Sequence, residues 1–250
     1  MAHIARHDEI LKILTRLRQI SVYELTERLG VSEATIRKDL NILEEMGYLV
    51  RTHGGASLAE DRTLEIPLTA RQEKYLEEKR AIARKAREFI REGDTIFLDS
   101  GSTNALLAKE IKDMSLRVIC HSIGVMAELI DAPDIALVAL GGNYQKDAGS
   151  FIGPLTVENL KHFQIQTCFI GAAGFSSKGV FSSQNIIEAQ VKTEVLKVSD
   201  RRIVITDHSK YNHTAFVVFA RADEIDILIT DEHFQDVPIL RALDIEVIRA

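Results

Sequence analysis

Apolar residues recur along the first fifty positions with helical period. Ile10, Ile13, Leu14 and Leu17 fall at i, i+3, i+4 and i+7 and predict one helix. A second short helix fits Val22–Leu29, with Gly30 just beyond it as a C′ residue. Ser32 is placed to cap a third helix, whose buried stripe is Ile36, Leu40, Leu43 and Met46 and which Gly47 ends. Residues 48–55 then turn β-rich and close on the pair Gly54-Gly55.

The next stretch, through residue 70, is polar and irregular and contains Pro67, as a linker does. Residues 71–91 read as a charge-dense helix with Tyr75, Ile82, Ala86, Phe89 and Ile90 as a weak apolar face. From Asp94 onward the texture changes to short β-rich runs alternating with helices. The expected strands are 95–98, 117–120, 136–140, 167–170, 202–206, 225–230 and 246–248. Alternation at that spacing predicts an α/β domain with a mostly parallel sheet. The expected organisation is a first domain over 1–57, a linker over 58–70 and a larger domain over 71–250.

Composition narrows the class. With 250 residues, 46% hydrophobic and 27% charged, the chain is globular and large enough for one or two cored domains. Disorder, collagen-like repeats and a small disulfide scaffold are excluded. The net charge of −6 excludes a generally basic nucleic-acid coat, but not a protein that grips DNA with one small face. Cys120 and Cys168 each sit in a short apolar run and read as core hydrophobes. No Cys/His cluster has zinc spacing, so no metal or cofactor is expected. The start of the chain is too charged for a secretory h-region, and the apolar run 135–140 is far short of a membrane span. These features predict a reduced, cytoplasmic protein with no membrane partner.

Three helices and a hairpin in under sixty residues match the plan of a winged helix-turn-helix. Gly30 and Val31 turn the chain, and Ser32 opens a helix whose first turn projects Glu33, Ala34, Thr35, Arg37 and Lys38. In such modules that turn meets base edges in the major groove. Arg37 suits a bidentate bond to guanine, while Lys38 and Arg51 suit phosphates. The competing reading is a three-helix interaction module with a solvated polar face, which the even charge of residues 1–57 favours. Asp39 is expected to hold a neighbouring Arg or a helix end, and His53 to touch backbone in the wing.

The residues here carry a resemblance. Arg6-x3-Ile10-x3-Leu14, followed after 17 residues by Ser32-x2-Thr35-Ile36-Arg37-Lys38-Asp39-Leu40, resembles the helix-turn-helix signature of the DeoR family of bacterial transcription regulators. Residues 51–56, Arg-Thr-His-Gly-Gly-Ala, are similar to the family's wing. The resemblance implies operator DNA as partner, with Ser32, Glu33, Ala34, Thr35, Arg37, Lys38, Arg51, His53 and Gly54 at the interface.

In the second half, Asp99-Ser-Gly-Ser-Thr-Asn104 follows one expected strand and opens a helix. A Ser/Gly/Thr turn at a helix N-terminus offers backbone N–H groups, hydroxyls and the positive dipole end, a combination that binds phosphate or carboxylate. Its bland alternative is a cap. Gly141-Gly142, the run Gly171-Ala-Ala-Gly174 and Asp207-His-Ser-Lys210 close other strands, where open α/β sheets gather ligands. Together they point to a small phosphorylated ligand. Glu188 and Lys192, at i and i+4, present either a ligand-facing pair or a solvated ion pair. His208 reads as a turn residue.

These loops, with Phe169-Ile-Gly-Ala-Ala-Gly174, resemble the DeoR-family sensor domain, which is similar in fold to ribose-phosphate isomerase. The resemblance implies an effector site of Asp99, Ser100, Gly101, Ser102, Thr103, Gly141, Gly142, Glu188, Lys192 and Lys210. It implies a repressor of a sugar-metabolism operon, controlled by a phosphorylated sugar and acting as a homo-oligomer, dimer or tetramer. The alternative is a sugar-phosphate isomerase-like enzyme with Glu188 as base. Where those isomerases carry an acidic segment, this chain reads Gly171-Ala-Ala-Gly174, without a carboxylate, and their Lys-rich glycine loop is here Phe181-Ser-Ser-Gln184. No catalytic residue is therefore expected.

Overall fold

The computed structural model describes residues 6–7, 9–10, 13–14, 17, 19–45, 49–52, 54–58, 74–235, 240 and 245–250. The chain divides into two compact units, Met1–Leu64 and Glu65–Ala250.

In the first unit, strand β1 (Gln19–Ser21) leads into helix α1 (Val22–Leu29) and helix α2 (Glu33–Glu45), followed by the hairpin β2 (Leu49–Thr52) and β3 (Gly55–Leu58). Ile10, Leu14, Leu25, Ile36, Leu40 and Leu43 are buried together, as their spacing predicts. Leu17 is exposed instead, and Met46 and Gly47 lie outside the described residues. The hairpin becomes a three-stranded antiparallel sheet because β1 pairs with β3, a strand the sequence reading did not contain. Gly55 permits that pairing, since a Cβ there would stand 2.2 Å from the Ile20 carbonyl. Ser21 ends β1 and caps α1: its Oγ accepts the Glu24 amide at 3.1 Å, while Glu24 accepts the Ser21 amide at 3.0 Å.

Gly30 closes α1 at φ 64° with no atom near a notional Cβ, so only backbone strain opposes a side chain there. Gly30→Ala is accordingly expected to cost about 1 kcal/mol. Denaturant unfolding of the first unit measures this, and an unchanged midpoint would contradict the left-handed turn.

The second unit holds helix α3 (Leu76–Arg87), β4 (Thr95–Leu98), α4 (Ser102–Glu110), β5 (Leu116–Cys120), α5 (Ile123–Leu129), β6 (Ile135–Ala139), β7 (Asn143–Gln145), β8 (Ser150–Ile152) and α6 (Pro154–Leu160). It continues with β9 (Ile165–Ile170), β10 (Gly174–Phe175), β11 (Val180–Ser183), α7 (Ile186–Lys197), β12 (Ser199–Ile205), β13 (Val217–Arg221), β14 (Ile227–Thr230) and β15 (Glu246–Arg249). A seven-stranded parallel sheet runs β15-β14-β12-β9-β4-β5-β6. All seven expected strands are in it. The pair β7-β8 and the small sheet β10-β11-β13 were not foreseen, being mostly too short to show a period.

Residues alternate between the faces of the sheet. Along β4, Phe97 joins one core with Ile119, Phe181 and Val204, whereas Ile96 and Leu98 join the other with Ile82 and Leu107. Cys120 and Cys168 are both buried free thiols, and burial pushes each up to about 12. The chain runs outward from β4 through β5 and β6, then returns to β9 on the other flank of β4. That reversal makes the crevice beyond β4 and β9 the natural ligand position.

Candidate functional site

In the first unit, the opening turn of α2 carries its side chains outward. Glu33, Ala34, Arg37 and Lys38 are exposed. The Ser32 hydroxyl accepts the Thr35 amide at 3.3 Å, supplying the expected cap. Arg37 and Glu33 pair across one turn at 3.2 Å. Asp39 is buried and takes Arg6 and His7 as partners, fixing the first helix to α2 as the sequence reading expected. Burial would raise its carboxyl, but the Arg6 and His7 hydrogen bonds outweigh this and lower it.

Arg51, expected to suit a phosphate, is half-buried and has partners within its own unit. Its guanidinium donates to the carbonyls of Gly55, at 3.2 Å, and Arg37, at 3.3 Å, and to Asn41 Oδ1, at 2.5 Å, so it ties β2 to α2. Gly54 is exposed at φ 97° in the turn of the wing. His53 lies outside the described residues.

In the second unit a cavity of about 270 Å³ opens at the β4/β9 crossover. Its wall includes Ser100–Asn104 after β4, Gly171–Ala173 after β9, Thr206, Asp207, Ser209 and Lys210 after β12, and Ser183, Gln184, Glu188 and Lys192 from β11 and α7. Gly101 precedes α4 at φ 114° without a side-chain cap, so the first-turn amides of α4 face this space with Ser102 and Thr103. Helix N-termini of this kind stabilise anions.

Beneath the wall lies a polar network. Asp99 is fully buried; its Oδ1 meets His121 Nε2 at 3.0 Å, and its Oδ2 accepts the Gly171 amide at 2.9 Å and the Lys192 ammonium. Burial alone would raise the Asp99 carboxyl, but Lys192 and His121 outweigh it and hold the group well below the usual carboxylate range. Lys192 also donates to the Gly171 carbonyl at 3.0 Å and stands 3.6 Å from Glu188 Oε1. The two Glu188 oxygens accept the hydroxyls of Ser100, at 3.1 Å, and Ser183. On its other side, the His121 ring donates from Nδ1 to the Phe151 carbonyl at 2.8 Å.

Of the expected effector residues, the structure gathers Ser100, Gly101, Ser102, Thr103, Glu188, Lys192 and Lys210 around one cavity. Three stand elsewhere. Asp99 lies below the wall, consumed by its three partners. Gly141 and Gly142 lie outside the lining: the Thr156 hydroxyl donates to the Gly141 carbonyl at 2.7 Å, and a Cβ at Gly142 would meet Thr156 Oγ1 at 2.2 Å. Gly142 serves close packing against α6 and the β7-β8 hairpin. The solvated reading of Glu188 and Lys192 is also overturned, since they are 6% and 3% exposed.

Several wall residues went unread. Lys74, Tyr75 and Lys79 come from the start of α3, where a charge-dense sequence hides which charges turn inward; Lys79 is buried and donates to the Lys74 carbonyl at 2.6 Å. Tyr75, expected on an apolar helix face, instead precedes α3 at φ 56° with its ring edge-on to His208. His208 sits in the expected turn, and its partner Asp231, at 2.8 Å, was invisible because it arrives from β14. Asn104 and Gln184 fall at the ends of the segments 99–104 and 181–184 but were assigned no part, and His121, below the wall, had no local signal.

Known proteins share both units. The DeoR-like helix-turn-helix domain family matches residues 6–62, and the DeoR C terminal sensor domain family matches residues 74–232. The transcriptional repressor AccR of Agrobacterium fabrum is 33% identical over 90% of this chain and 88% of its own. The glycerol-3-phosphate regulon repressor of Escherichia coli is 31% identical over 92% of each chain. These relatives are transcriptional regulators, not enzymes. Among solved structures, the ribose 5-phosphate isomerase of Neisseria gonorrhoeae aligns over 53% of this chain and 52% of its own, at 21% identity and a TM-score of 0.40. Among the described residues, no helix is long and apolar enough to cross a membrane.

Proposed function

We propose that this chain, which belongs to the DeoR family of helix-turn-helix transcriptional regulators, represses a sugar-metabolism operon under the control of a phosphorylated sugar held in its C-terminal unit. The observation that carries the effector reading is the cavity at the sheet crossover. There the uncapped amides of α4, the Ser102 and Thr103 hydroxyls and Lys210 border one space. Amides at a helix N-terminus suit a phosphate, and a nearby ammonium adds charge without fixed geometry. One relative, a glycerol-3-phosphate regulon repressor, agrees with a phosphorylated polyol as the controlling class.

The DNA-facing reading rests on the exposed first turn of α2, with Arg37 as base reader and Lys38 as phosphate contact. Ser32 and Thr35 cap and shape that turn, Glu33 and Ala34 border it, and Arg51 and Gly54 hold the wing. We place the protein in the cytoplasm as a homo-oligomer, dimer or tetramer, which sets two such turns on repeated or palindromic half-sites. The effector acts by binding the DNA-competent and incompetent states with different affinity, since equal affinity shifts nothing.

The test is binding of the full chain to DNA upstream of its own gene and neighbouring genes, at fixed salt, with and without a panel of pentose, hexose and glycerol phosphates. Specific binding changed by one compound is the expected result. Specific binding changed by none overturns sugar-phosphate control, and no specific binding to any fragment overturns the assignment of the operator.

A further inference from the structure

Among the described residues, two that are not glycine have left-handed backbone: Tyr75 at φ 56° and Asn212 at φ 58°. Asparagine adopts that conformation readily, whereas a bulky side chain keeps it only where the surroundings impose it. Tyr75 belongs to the cavity wall and stands at the head of α3, where its carbonyl accepts the Lys79 amide at 3.1 Å. What holds it there arrives from another strand. Its ring meets the His208 ring edge-on, with centroids 5.0 Å apart. His208 is itself fixed by Asp231, 2% exposed, which accepts its backbone amide at 2.7 Å and pairs with its ring Nδ1 at 2.8 Å. Asp231 accepts the His233 amide as well, at 3.0 Å, and the His233 ring stands edge-on to His208 at 5.3 Å. The head of α3 is therefore clasped to the loop after β12 by contacts that end on a buried carboxylate.

The two elements so joined share one cavity. Lys74, Tyr75 and Lys79 belong to its wall from the head of α3, and Asp207, Ser209 and Lys210 from the loop that carries His208. The body of α3 is fixed independently, since Ile82, Ala83 and Ala86 are buried in one core with Leu107 and Ala108 of α4. Its head is held by less: one ring contact works against a strained backbone. The first unit ends at Leu64, and Lys74 and Tyr75 are the first described residues after it. We propose that Tyr75 and His208 are positioning residues: they clasp the head of α3 to the loop after β12, and through that clasp an effector in the cavity acts on the segment leading to the DNA-reading unit. This rests on the sugar-phosphate reading above and adds how the site reports its occupancy. A ligand that bridges head and loop does the same work as the clasp, so it binds the clasped arrangement in preference to the released one. That difference in affinity is what any shift between two states requires.

Operator titrations on the full chain test the proposal, with and without ribose 5-phosphate, fructose 6-phosphate, glucose 6-phosphate and glycerol 3-phosphate. The readout is the ratio of operator affinities with and without the most effective compound, for which couplings of about 5- to 150-fold are typical. In Tyr75→Leu and in His208→Ala that ratio is expected to fall below about twofold, at compound concentrations that calorimetry shows to saturate each variant. Tyr75→Phe keeps the ring and should keep the ratio. A tyrosine that merely stabilised its unit would lower the thermal midpoint and leave the ratio unchanged. Hydrogen exchange on the unaltered chain gives a second reading that needs no variant to fold: the same compound should slow exchange of the Lys79 amide, whose partner is the Tyr75 carbonyl. Ratios that survive in Tyr75→Leu and His208→Ala, or a Lys79 amide that the compound leaves unchanged, overturn the inference alone. So do variants that no longer bind the compound at all, which would make these residues ligand contacts, and a ratio lost equally in Tyr75→Phe. An unaltered chain whose operator binding no compound changes overturns the sugar-phosphate reading and this inference with it.

Discussion

Asp99→Ala is expected to destabilise the C-terminal unit by about 3–5 kcal/mol, the range for removing one partner of a buried ion pair. The loss comes less from the missing attraction than from what remains. Lys192, 3% exposed, keeps the Gly171 carbonyl at 3.0 Å and Glu188 at 3.6 Å, and His121 keeps the Phe151 carbonyl. Replacing both charges, Asp99→Leu with Lys192→Met, should therefore cost less than the sum of the two single changes. Acid should show the same dependence. Asp99 is held below the usual carboxylate range in the folded chain, against about 3.9 when unfolded. Its contribution is then complete above roughly pH 5 and is lost as pH falls from there toward the folded value. Thermal unfolding from pH 7 to pH 3 should fall more steeply for the unaltered chain than for Asp99→Asn. Parallel profiles would show that Asp99 is not ionised in the fold.

The same network explains what a linear reading can and cannot find. The seven strands of the main sheet were legible because each is a short apolar run between turn residues, and their parallel direction follows from alternation with helices, though their order does not. The helix pair around Gly30 was legible because caps and glycine turns are local events. Ser100 through Thr103 were legible for the same reason: a helix N-terminus announces itself within five residues. By contrast, His121 serves Asp99 across a strand, and Gln184 reaches the cavity from the end of the four-residue strand β11. No spacing along the chain encodes those meetings. Glu188 and Lys192 show the limit most clearly. Their i, i+4 spacing was plain, but whether the pair faces water or core depends on the β9 and β4 loops that close over it.

Gly141 and Gly142 stand away from the cavity they were expected to line, and at Gly142 the reason is packing. Gly141-Gly142 has the look of a phosphate loop, yet at Gly142 the approach of Thr156 Oγ1 and the Ile152 carbonyl leaves no room for a side chain. Arg51 has the charge for a DNA backbone contact, and its Nε and Nη1 also engage three acceptors within its own unit. A glycine or an arginine names a capacity; the surroundings decide its use.

That distinction sharpens the second expected result, on operator binding. Arg37→Ala should cost roughly 1–3 kcal/mol on the specific site and relax the preference at one base pair, because its guanidinium is the one side chain in the α2 turn able to bond guanine at two points. Its present partner is no obstacle. Arg37 and Glu33 are each 54% exposed, and such a pair is worth about 0.3–0.5 kcal/mol, so the arginine leaves it freely. Glu33→Gln should then bind DNA at least as well as the unaltered chain, having lost a charge that repels phosphates. Lys38→Ala should weaken all sequences alike and lower the salt slope by about 1. Arg51→Ala should loosen the wing and lower the unfolding midpoint of the first unit, an effect that a simple phosphate contact would not produce. Sugar-phosphate affinity should stay unchanged in the Arg37 variant, whereas Lys210→Ala should weaken the effector and leave operator affinity intact in its absence. Electrophoretic or fluorescence titrations on the operator and on single-base variants separate these outcomes. A loss in Arg37→Ala that is uniform across sequences would make it a phosphate contact and move the reading of bases to another residue of the same turn.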